Sequence, residues 1–397
     1  MHLATLPCLY SFAVLGPTLT LALHQPQAQV HPKPIIIDTD IYSDVDDLGA
    51  LAIANVLSNF GLAELKGVVI STGSEYGALT VDVSLPRSSV RLACKVEWDE
   101  TNMAAKAVNT YYGNGHMKIG AIRPLTQETF VDRWGWQLGE YASKVAHHFP
   151  RALRNATQTP SPLTLYREIL ADAAVNSLTV ISIGFLTNLA DLLESGMDEI
   201  SPATGADLIS HKVAELVVMG GNYPSGWEYN FAGVDPKVAH RVISNWPKNV
   251  PITYSGYELG SQIWTGQHLA QEAPVDSPVL AAYQWYGDRC NTTLKSYDPV
   301  TVLYGFLGLG GRAKLGIAPM FEYANADGYN SVNAVDGINT WVEDASVRNQ
   351  HWLRLRPDVT VSDIEELLNR LLVQSPRAAE GRHGEIIEDM LRSQLRI

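Results

Sequence analysis

Basic residues are scarce in this chain. Its 397 residues include 29 Lys and Arg against 42 Asp and Glu, which gives a formal net charge of −13 at pH 7. Proteins that bind nucleic acid generally need a basic stripe to neutralise phosphates, and the sequence has none. The composition therefore argues against a nucleic-acid partner and is compatible with a small neutral or cationic ligand.

Long apolar runs are limited to the first 30 residues. Residues 1–30 have an apolar, nearly uncharged centre. A candidate signal-peptide cleavage site with a small residue lies near Ala28, before the polar stretch that leads to Pro34. This is the pattern of a secretory signal peptide. No later stretch is apolar enough over the length needed to span a membrane. We therefore expect residues 1–30 to be removed and residues 31–397 to be secreted without a stable membrane anchor.

Cysteine is rare, with three residues in the chain. Cys8 lies in the signal segment, so the secreted form would keep Cys94 and Cys290. These two could form one disulfide in an oxidising compartment, although the sequence leaves their pairing open. Two N-x-[ST] sequons, at Asn155 and Asn291, agree with a secreted glycoprotein.

Strand and helix patterns alternate along the chain. Apolar runs typical of buried strands occupy residues 35–37, 65–71, 178–183, 214–219 and 251–254. Their alternation with helical segments predicts an α/β fold, with an open, largely parallel, doubly wound sheet in a single large domain. Residues 82–102 break the pattern and are expected to form an inserted loop. Residues 362–372 and 385–395 are expected to form amphipathic helices on the outside.

A dense group of acids follows the first strand. The carboxylates are Asp38, Asp40, Asp44, Asp46 and Asp47. Helical spacing of apolar residues begins directly after them, so the acids lie between the end of a strand and the start of a helix. This position corresponds to the carboxyl edge of the sheet. Helix capping would explain one or two acids. Five acids this close together repel one another, and a hard metal ion among them would offset the repulsion.

Four segments of the sequence resemble one enzyme family. DTDIYSDVDDLGALAIA is similar to the DTDPGIDDA signature of the inosine/uridine-preferring nucleoside hydrolases. IGFLTNLADLL resembles the family's GPLTNxA segment, VVMGGNYPSGWEYNFAGVDPKVA its MGG…GN…AEFN…DPEAA segment, and YDPVTVLY its HDP segment. The similarity covers residues 34–305 without the 82–102 insertion. It implies hydrolysis of the N-glycosidic bond of a ribonucleoside to free base and ribose, as in purine and pyrimidine salvage.

The resemblance implies a calcium site. Asp40, Asp47 and Asp298 would be its side-chain ligands, and the backbone carbonyl of Ile183 would be a further one. This set is chemically sound because calcium takes six to eight hard oxygens and would keep positions for a water and two sugar hydroxyls.

The same resemblance implies that Asp46 is the general base, which activates a water on the calcium. The acidic loop is two residues longer than the short motif, and Asp44 keeps the motif's spacing from Asp40. Asp44 therefore stays open as an alternative base, while Asp46 keeps the Asp-Asp pair at the helix start. Asp38 is expected to hold the loop through hydrogen bonds.

Residues for the ribose come from the third segment. By resemblance, Asn222, Glu228 and Asn230 would bind the sugar hydroxyls, since amide and carboxylate groups suit hydroxyls that both donate and accept. Met219 would lie under the sugar ring. A homo-oligomer is also expected.

The sequence departs from the family at two positions. Tyr297 replaces the His of HDP, and Ser74 stands in the loop after the second strand where Asn is common. A phenol has a pKa near 10 and donates a proton only weakly at neutral pH. Aromatic candidates for stacking on the base are Trp227, Tyr229, Tyr257, Trp264 and Trp285, although we expect each of them to be a core aromatic.

Two other functions are compatible with parts of the sequence. A secreted nucleoside- or sugar-binding protein would keep the metal site and lose turnover, which the change to Tyr297 favours. A phosphatase of the haloacid dehalogenase type also begins with a strand and DxD, and would use Asp38 as the nucleophile with magnesium. That alternative explains neither WEYN nor YDP.

Overall fold

The computed structural model describes residues 32–42, 44–82, 108–128, 140–149, 151, 153–287, 291–311 and 317–375. Several sequence predictions therefore lie outside the described residues: the signal segment, the 82–102 insertion except for Asp82, both Cys94 and Cys290, and the helix at 385–395. Residues from Pro32 onward form one compact unit.

Parallel strands organise this unit. The strands are β1 (Lys33–Thr39), β2 (Ala63–Ile70), β3 (Lys118–Ala121), β4 (Leu178–Ile183), β5 (Val213–Met219), β6 (Ser225–Gly226), β7 (Ile252–Ser255), β8 (Trp264–Thr265), β9 (Leu294–Lys295), β10 (Phe321–Tyr323), β11 (Tyr329–Val332), β12 (Asn339–Val342) and β13 (Gln350–Leu355). Eight of them form the central sheet in the order β10-β13-β7-β5-β4-β1-β2-β3, and every pairing is parallel except that between β10 and β13. The predicted open, largely parallel sheet in one domain is confirmed.

Helices cover both faces of this sheet. They are α1 (Asp46–Asn59), α2 (Glu75–Val81), α3 (Val108–Tyr111), α4 (Ala142–His148), α5 (Pro162–Asp172), α6 (Thr187–Glu194), α7 (Gly205–Lys212), α8 (Tyr229–Ala232), α9 (Pro236–Asn245), α10 (Tyr257–Gly260), α11 (Leu269–Glu272), α12 (Pro278–Tyr286), α13 (Tyr297–Leu307) and α14 (Val361–Leu372). Within the described residues, none of the helices has the length and apolar character needed to cross a membrane.

Strand β1 is anchored on both faces. Ile35 and Ile37 lie in the hydrophobic cluster formed with α1, α13 and α14, whereas Ile36 lies in the cluster formed with α5, α6 and α9. All three side chains are fully buried, and burying an isoleucine stabilises the fold by about 1.5–3 kcal/mol. The acids that follow β1 therefore project from a rigid support.

The strand order reverses at β1. The chain runs outward through β2 and β3 on one side and through β4, β5 and β7 on the other. In open α/β sheets, ligands bind in the crevice beyond the carboxyl ends of the strands at such a switch point. The loops that follow β1, β4 and β5 meet at this point.

Candidate active site

Four buried carboxylates come together from distant parts of the chain. Asp40 follows β1, Asp46 and Asp47 open α1, and Asp298 lies in the first turn of α13; their exposed fractions are 4%, 5%, 0% and 5%. The backbone N–H groups of Tyr297 and Asp298 donate to Asp46 Oδ2 at 3.0 and 3.2 Å. Asp46 thus satisfies free donors at the start of α13, and this contact brings Asp298 to the acidic loop.

The electrostatics of this group are unfavourable without a counter-ion. Burial raises the pKa of Asp46 well above its usual range, the charge of Asp44 raises it further, and the two N–H donors from α13 lower it. Burial likewise raises the pKa values of Asp40, Asp47 and Asp298, to which the charges of neighbouring acids add. Carboxylate oxygens of Asp44, Asp46 and Asp47 lie within 4.8 Å of one another.

Asp47 supplies a direct test of whether the group fits a cation. Its Oδ1 accepts a hydrogen bond from the hydroxyl of Thr39, whereas its fully buried Oδ2 has no hydrogen-bond partner. A buried acceptor without a partner is costly, and more so when it is charged. Hard carboxylate oxygens in this arrangement are the ligands that divalent cations such as calcium take. The residues therefore fit a metal site.

The end of β4 approaches the same acids. Ile183 is the last residue of β4 and lines the cavity described below. A Cβ on the next residue, Gly184, would lie 2.4 Å from the backbone nitrogen of Asp40 and 2.9 Å from its Cβ. Only glycine permits this close approach, which places the β4 terminus beside the acidic loop.

A cavity of about 530 Å³ opens between the acids and the loops after β5 and β7. Its size is within the range of small-molecule sites. It is lined by Asp40, Asp44, Asp46, Ile183, Met219, Asn222, Trp227, Glu228, Tyr229, Asn230, Tyr257, Tyr297 and Asp298. Ten of them are site residues predicted from the sequence, and the other three, Trp227, Tyr229 and Tyr257, are aromatics that the sequence predicts to lie in the core.

Glu228 has a structural role in this wall as well as facing the cavity. Its Oε1 accepts from the backbone N–H of Asn230 at 2.7 Å, and its Oε2 accepts from those of Gly221 and Phe231 at 3.0 and 3.3 Å. It is therefore the N-cap of α8 and ties this helix to the loop after β5. Burial raises the pKa of Glu228 to about 7, against the effect of these donors. The amide of Asn230 in turn donates to the backbone carbonyl and to the sulfur of Met219, at 3.2 Å each.

Asn222 is held by a residue that sequence reasoning missed. Its backbone N–H donates to Asn339 Oδ1 at 2.8 Å, and the amide of Asn339 donates to Asn330 Oδ1 at 3.2 Å. Asn330 also donates to the hydroxyl of Tyr223 at 3.0 Å. These contacts belong to the antiparallel sheet β11-β12-β6, and both asparagines are buried. Asn339 lies 117 positions after Asn222 in the chain and belongs to no recognisable motif, so the sequence does not predict their contact.

The expectation that the candidate stacking residues are core aromatics is wrong for most of them. Trp227, Tyr229 and Tyr257 line the cavity and are 53%, 49% and 40% exposed. Tyr257 also stacks on Tyr297, with ring centroids 5.4 Å apart. Trp264 is exposed too but does not line the cavity, and Trp285 packs against the core.

Comparisons with known proteins identify the family of this chain. Residues 35–315 match the family model described as inosine-uridine preferring nucleoside hydrolase. The chain belongs to this family. No curated protein matches the chain.

Solved structures of other proteins share the fold of this family member. A plant nucleoside hydrolase is 18% identical over 86% of this chain and 99% of its own, with a TM-score of 0.55. An inosine-guanosine nucleoside hydrolase is 17% identical over 86% and 99%, with a TM-score of 0.56. An inosine-uridine preferring nucleoside hydrolase from Bacillus anthracis is 17% identical over 86% and 99%, with a TM-score of 0.54. At these identities the likeness concerns the fold alone.

Of the site residues predicted from the sequence of this family member, Asp38, Asp47 and Ser74 do not line the cavity. Asp38 is fully buried and accepts hydrogen bonds from Tyr166 and Asn188, at 2.9 Å each, so it fixes the end of β1 to α5 and α6. Burial raises its pKa to about 7. Ser74 caps α2 and donates to the backbone carbonyl of Glu128 at 2.8 Å. A buried and doubly hydrogen-bonded Asp38 is not placed to attack a phosphate ester, which disfavours the phosphatase alternative.

Proposed function

We propose that this chain hydrolyses the N-glycosidic bond of ribonucleosides to free base and ribose and depends on a bound calcium ion. The observation that carries the proposal is the contact of Asp46 with the backbone N–H of Asp298, 252 positions later, at a cavity that Asn222, Glu228 and Asn230 also line. A cavity that combines acids with groups suited to hydroxyls would hold a sugar for attack at C1′.

Calcium would be held by the carboxylates of Asp40, Asp47 and Asp298 and by the carbonyl of Ile183. The partnerless Oδ2 of Asp47 supports this assignment, because a cation would satisfy it. When bound, calcium supplies positive charge and coordination positions for the ribose hydroxyls and for a water.

Asp46 takes a proton from the water that attacks C1′. Its Oδ2 is fixed by two backbone N–H groups, so the carboxylate is held in one orientation at the cavity wall. Positioned general bases of this kind typically contribute about 10²–10⁴-fold to a rate. We assign the base to Asp46 rather than Asp44 because Asp44 lies in the loop before α1 and outside these contacts.

Ribose hydroxyls would be bound by the side chains of Asn222, Asn230 and Glu228. Glu228 is already an acceptor for three backbone N–H groups, and a carboxylate has about four lone-pair sites, so room is left for one substrate hydroxyl. Met219 would contact the sugar ring. Removal of residues 1–30, secretion and a homo-oligomeric assembly stay predictions from the sequence.

The test is a hydrolysis assay on a panel of purine, pyrimidine and pyridine ribonucleosides, with calcium and after chelation. We expect release of base and ribose from at least one nucleoside, loss of turnover on chelation and loss of turnover in Asp46→Asn. The matched control is Asp235→Asn, which changes an exposed acid that caps α9. Turnover that survives chelation would overturn the calcium assignment. Nucleoside binding without turnover in the wild type would select the binding-protein alternative.

A further inference from the structure

The lining of the cavity that the structure describes is acidic. Five carboxylates line it, from Asp40, Asp44, Asp46, Glu228 and Asp298, and the lining residues that the structure describes include no Lys, Arg or His. A divalent cation offsets two charges, and one acid serves as the base. The longer acidic loop contributes Asp44 to this lining.

Aromatic faces accompany this charge. Trp227 and Tyr229 are about half exposed at the cavity, with ring centroids 6.3 Å apart. The π-faces of such rings attract cations, and indole attracts them best. A lysine, Lys295, stands 5.8 Å from the ring centroid of Tyr257 and 5.9 Å from that of Trp264 but does not line the cavity. Carboxylates and partly exposed aromatic rings together suit a flat cationic ring.

The way in which the base leaves also favours a cationic ring. A neutral purine or pyrimidine departs as an anion unless a group of the protein protonates it. The position of the family motif's His is occupied here by Tyr297, and a phenol is a much weaker acid than an imidazolium. A base that is already cationic departs as a neutral molecule and needs no proton.

We propose that the site prefers ribonucleosides whose base is a cationic ring, such as a pyridinium or an N7-alkylated purine. This inference rests on the proposed nucleoside hydrolysis. The C1′–N bond breaks and its electron pair stays on the ring nitrogen, which neutralises the ring. The water oxygen forms the new bond to C1′, and the water's proton passes to Asp46 and then to solvent. Each turnover of a cationic nucleoside therefore releases one proton, whereas a neutral nucleoside releases none.

Substrate pairs of nearly the same shape test the preference. Nicotinamide riboside is compared with its reduced dihydro form, and 7-methylguanosine with guanosine. Binding is measured by calorimetry on Asp46→Asn, which separates affinity from the greater intrinsic lability of the cationic compounds. We expect each cationic compound to bind at least about tenfold more tightly than its neutral partner. For the wild type, kcat/KM divided by the uncatalysed rate should also favour 7-methylguanosine over guanosine. Each turnover of nicotinamide riboside, whose ring is a fixed cation, should release one proton in a pH-stat.

Variants test the cause of the preference. Asp44→Asn removes one charge from the cavity and should lower the affinity ratio between 7-methylguanosine and guanosine by about fivefold. Trp227→Leu should lower the same ratio, whereas Trp264→Leu, outside the cavity, should not. Equal binding of the paired compounds, or tighter binding of guanosine, would overturn the inference, while hydrolysis of guanosine would leave the proposed function standing. If no nucleoside of either kind is hydrolysed, the proposed function fails.

Discussion

Replacing Asp47 with Asn should stabilise the cation-free protein and at the same time abolish its stabilisation by calcium. Asp47 is fully buried, and its carboxylate lies within 4.8 Å of those of Asp44 and Asp46. Asparagine has nearly the same size and keeps an oxygen that accepts from the hydroxyl of Thr39. The oxygen that is replaced has no hydrogen-bond partner, so no bond is lost.

The magnitude follows from the spacing of the charges. Two unit charges 4.8 Å apart repel by about 3.5 kcal/mol at an effective dielectric constant of about 20. Proton uptake relieves part of this repulsion, and removing an acid from the first turn of α1 costs about 0.5 kcal/mol. We expect a net gain of about 2 kcal/mol, which raises Tm by about 3 °C in a domain of this size. Calcium at about 100 times its Kd would stabilise the wild type by about 2.7 kcal/mol and the variant not at all.

Thermal unfolding at pH 8 with either chelator or calcium measures both effects. The control is Asp235→Asn, because asparagine caps a helix as well as aspartate does and this site is exposed. Its Tm should match the wild type in both conditions. A lower Tm of Asp47→Asn in chelator would refute the repulsion argument. A calcium shift of wild-type size in that variant would show that Asp47 is not a ligand.

Three further changes test other parts of the site. Asp46→Asn should lower kcat by about 10³ and leave the nucleoside Kd within about threefold, as measured by turnover and calorimetry. Asn339→Ala removes the acceptor of the Asn222 N–H and should raise KM about tenfold with a smaller effect on kcat, whereas Asn339→Asp keeps the acceptor and should recover most of the affinity. Burial raises the pKa of Glu258 from 4.5 to about 7, so its ionisation destabilises the folded state as the pH rises through this window. Glu258→Gln keeps an acceptor for the N–H of Tyr223 and should match the wild type in urea unfolding at pH 4 but exceed its stability by about 2 kcal/mol at pH 8.

The central strands could be predicted because of where they lie. Strands β1, β2, β4, β5 and β7 are buried on both faces, and such strands are continuous apolar runs in sequence. Strands β10, β11 and β13 lie nearer an edge or in the small sheet, mix polar with apolar residues and were not predicted. The edge strand β3 on the other side was not predicted either, so the prediction identified the interior of the sheet and missed both of its edges.

The candidate site likewise contains residues that the sequence predicts and contacts that it does not predict. Asp40, Asp46 and Asp298 follow recognisable motifs at strand or helix ends, so their grouping could be inferred. The hydrogen bond between Asp46 and the start of α13 depends on how α13 docks against α1, which no local pattern encodes. The role of Asn339 depends on the pairing of β12 with β6, two segments that a single sequence does not connect.

Hydrogen-bond donors separate the buried carboxylates into two kinds. Asp38 receives two side-chain donors and Glu228 three backbone donors, so most of the cost of burying these acids is offset inside the protein and both can hold loops in place. Asp47 is buried as deeply, yet its Oδ2 accepts no hydrogen bond. The unsatisfied oxygen of Asp47 is therefore an unfavourable feature of the cation-free fold, which proton uptake relieves in part and a bound cation would remove. Burial alone would not distinguish these residues; the distribution of donors does.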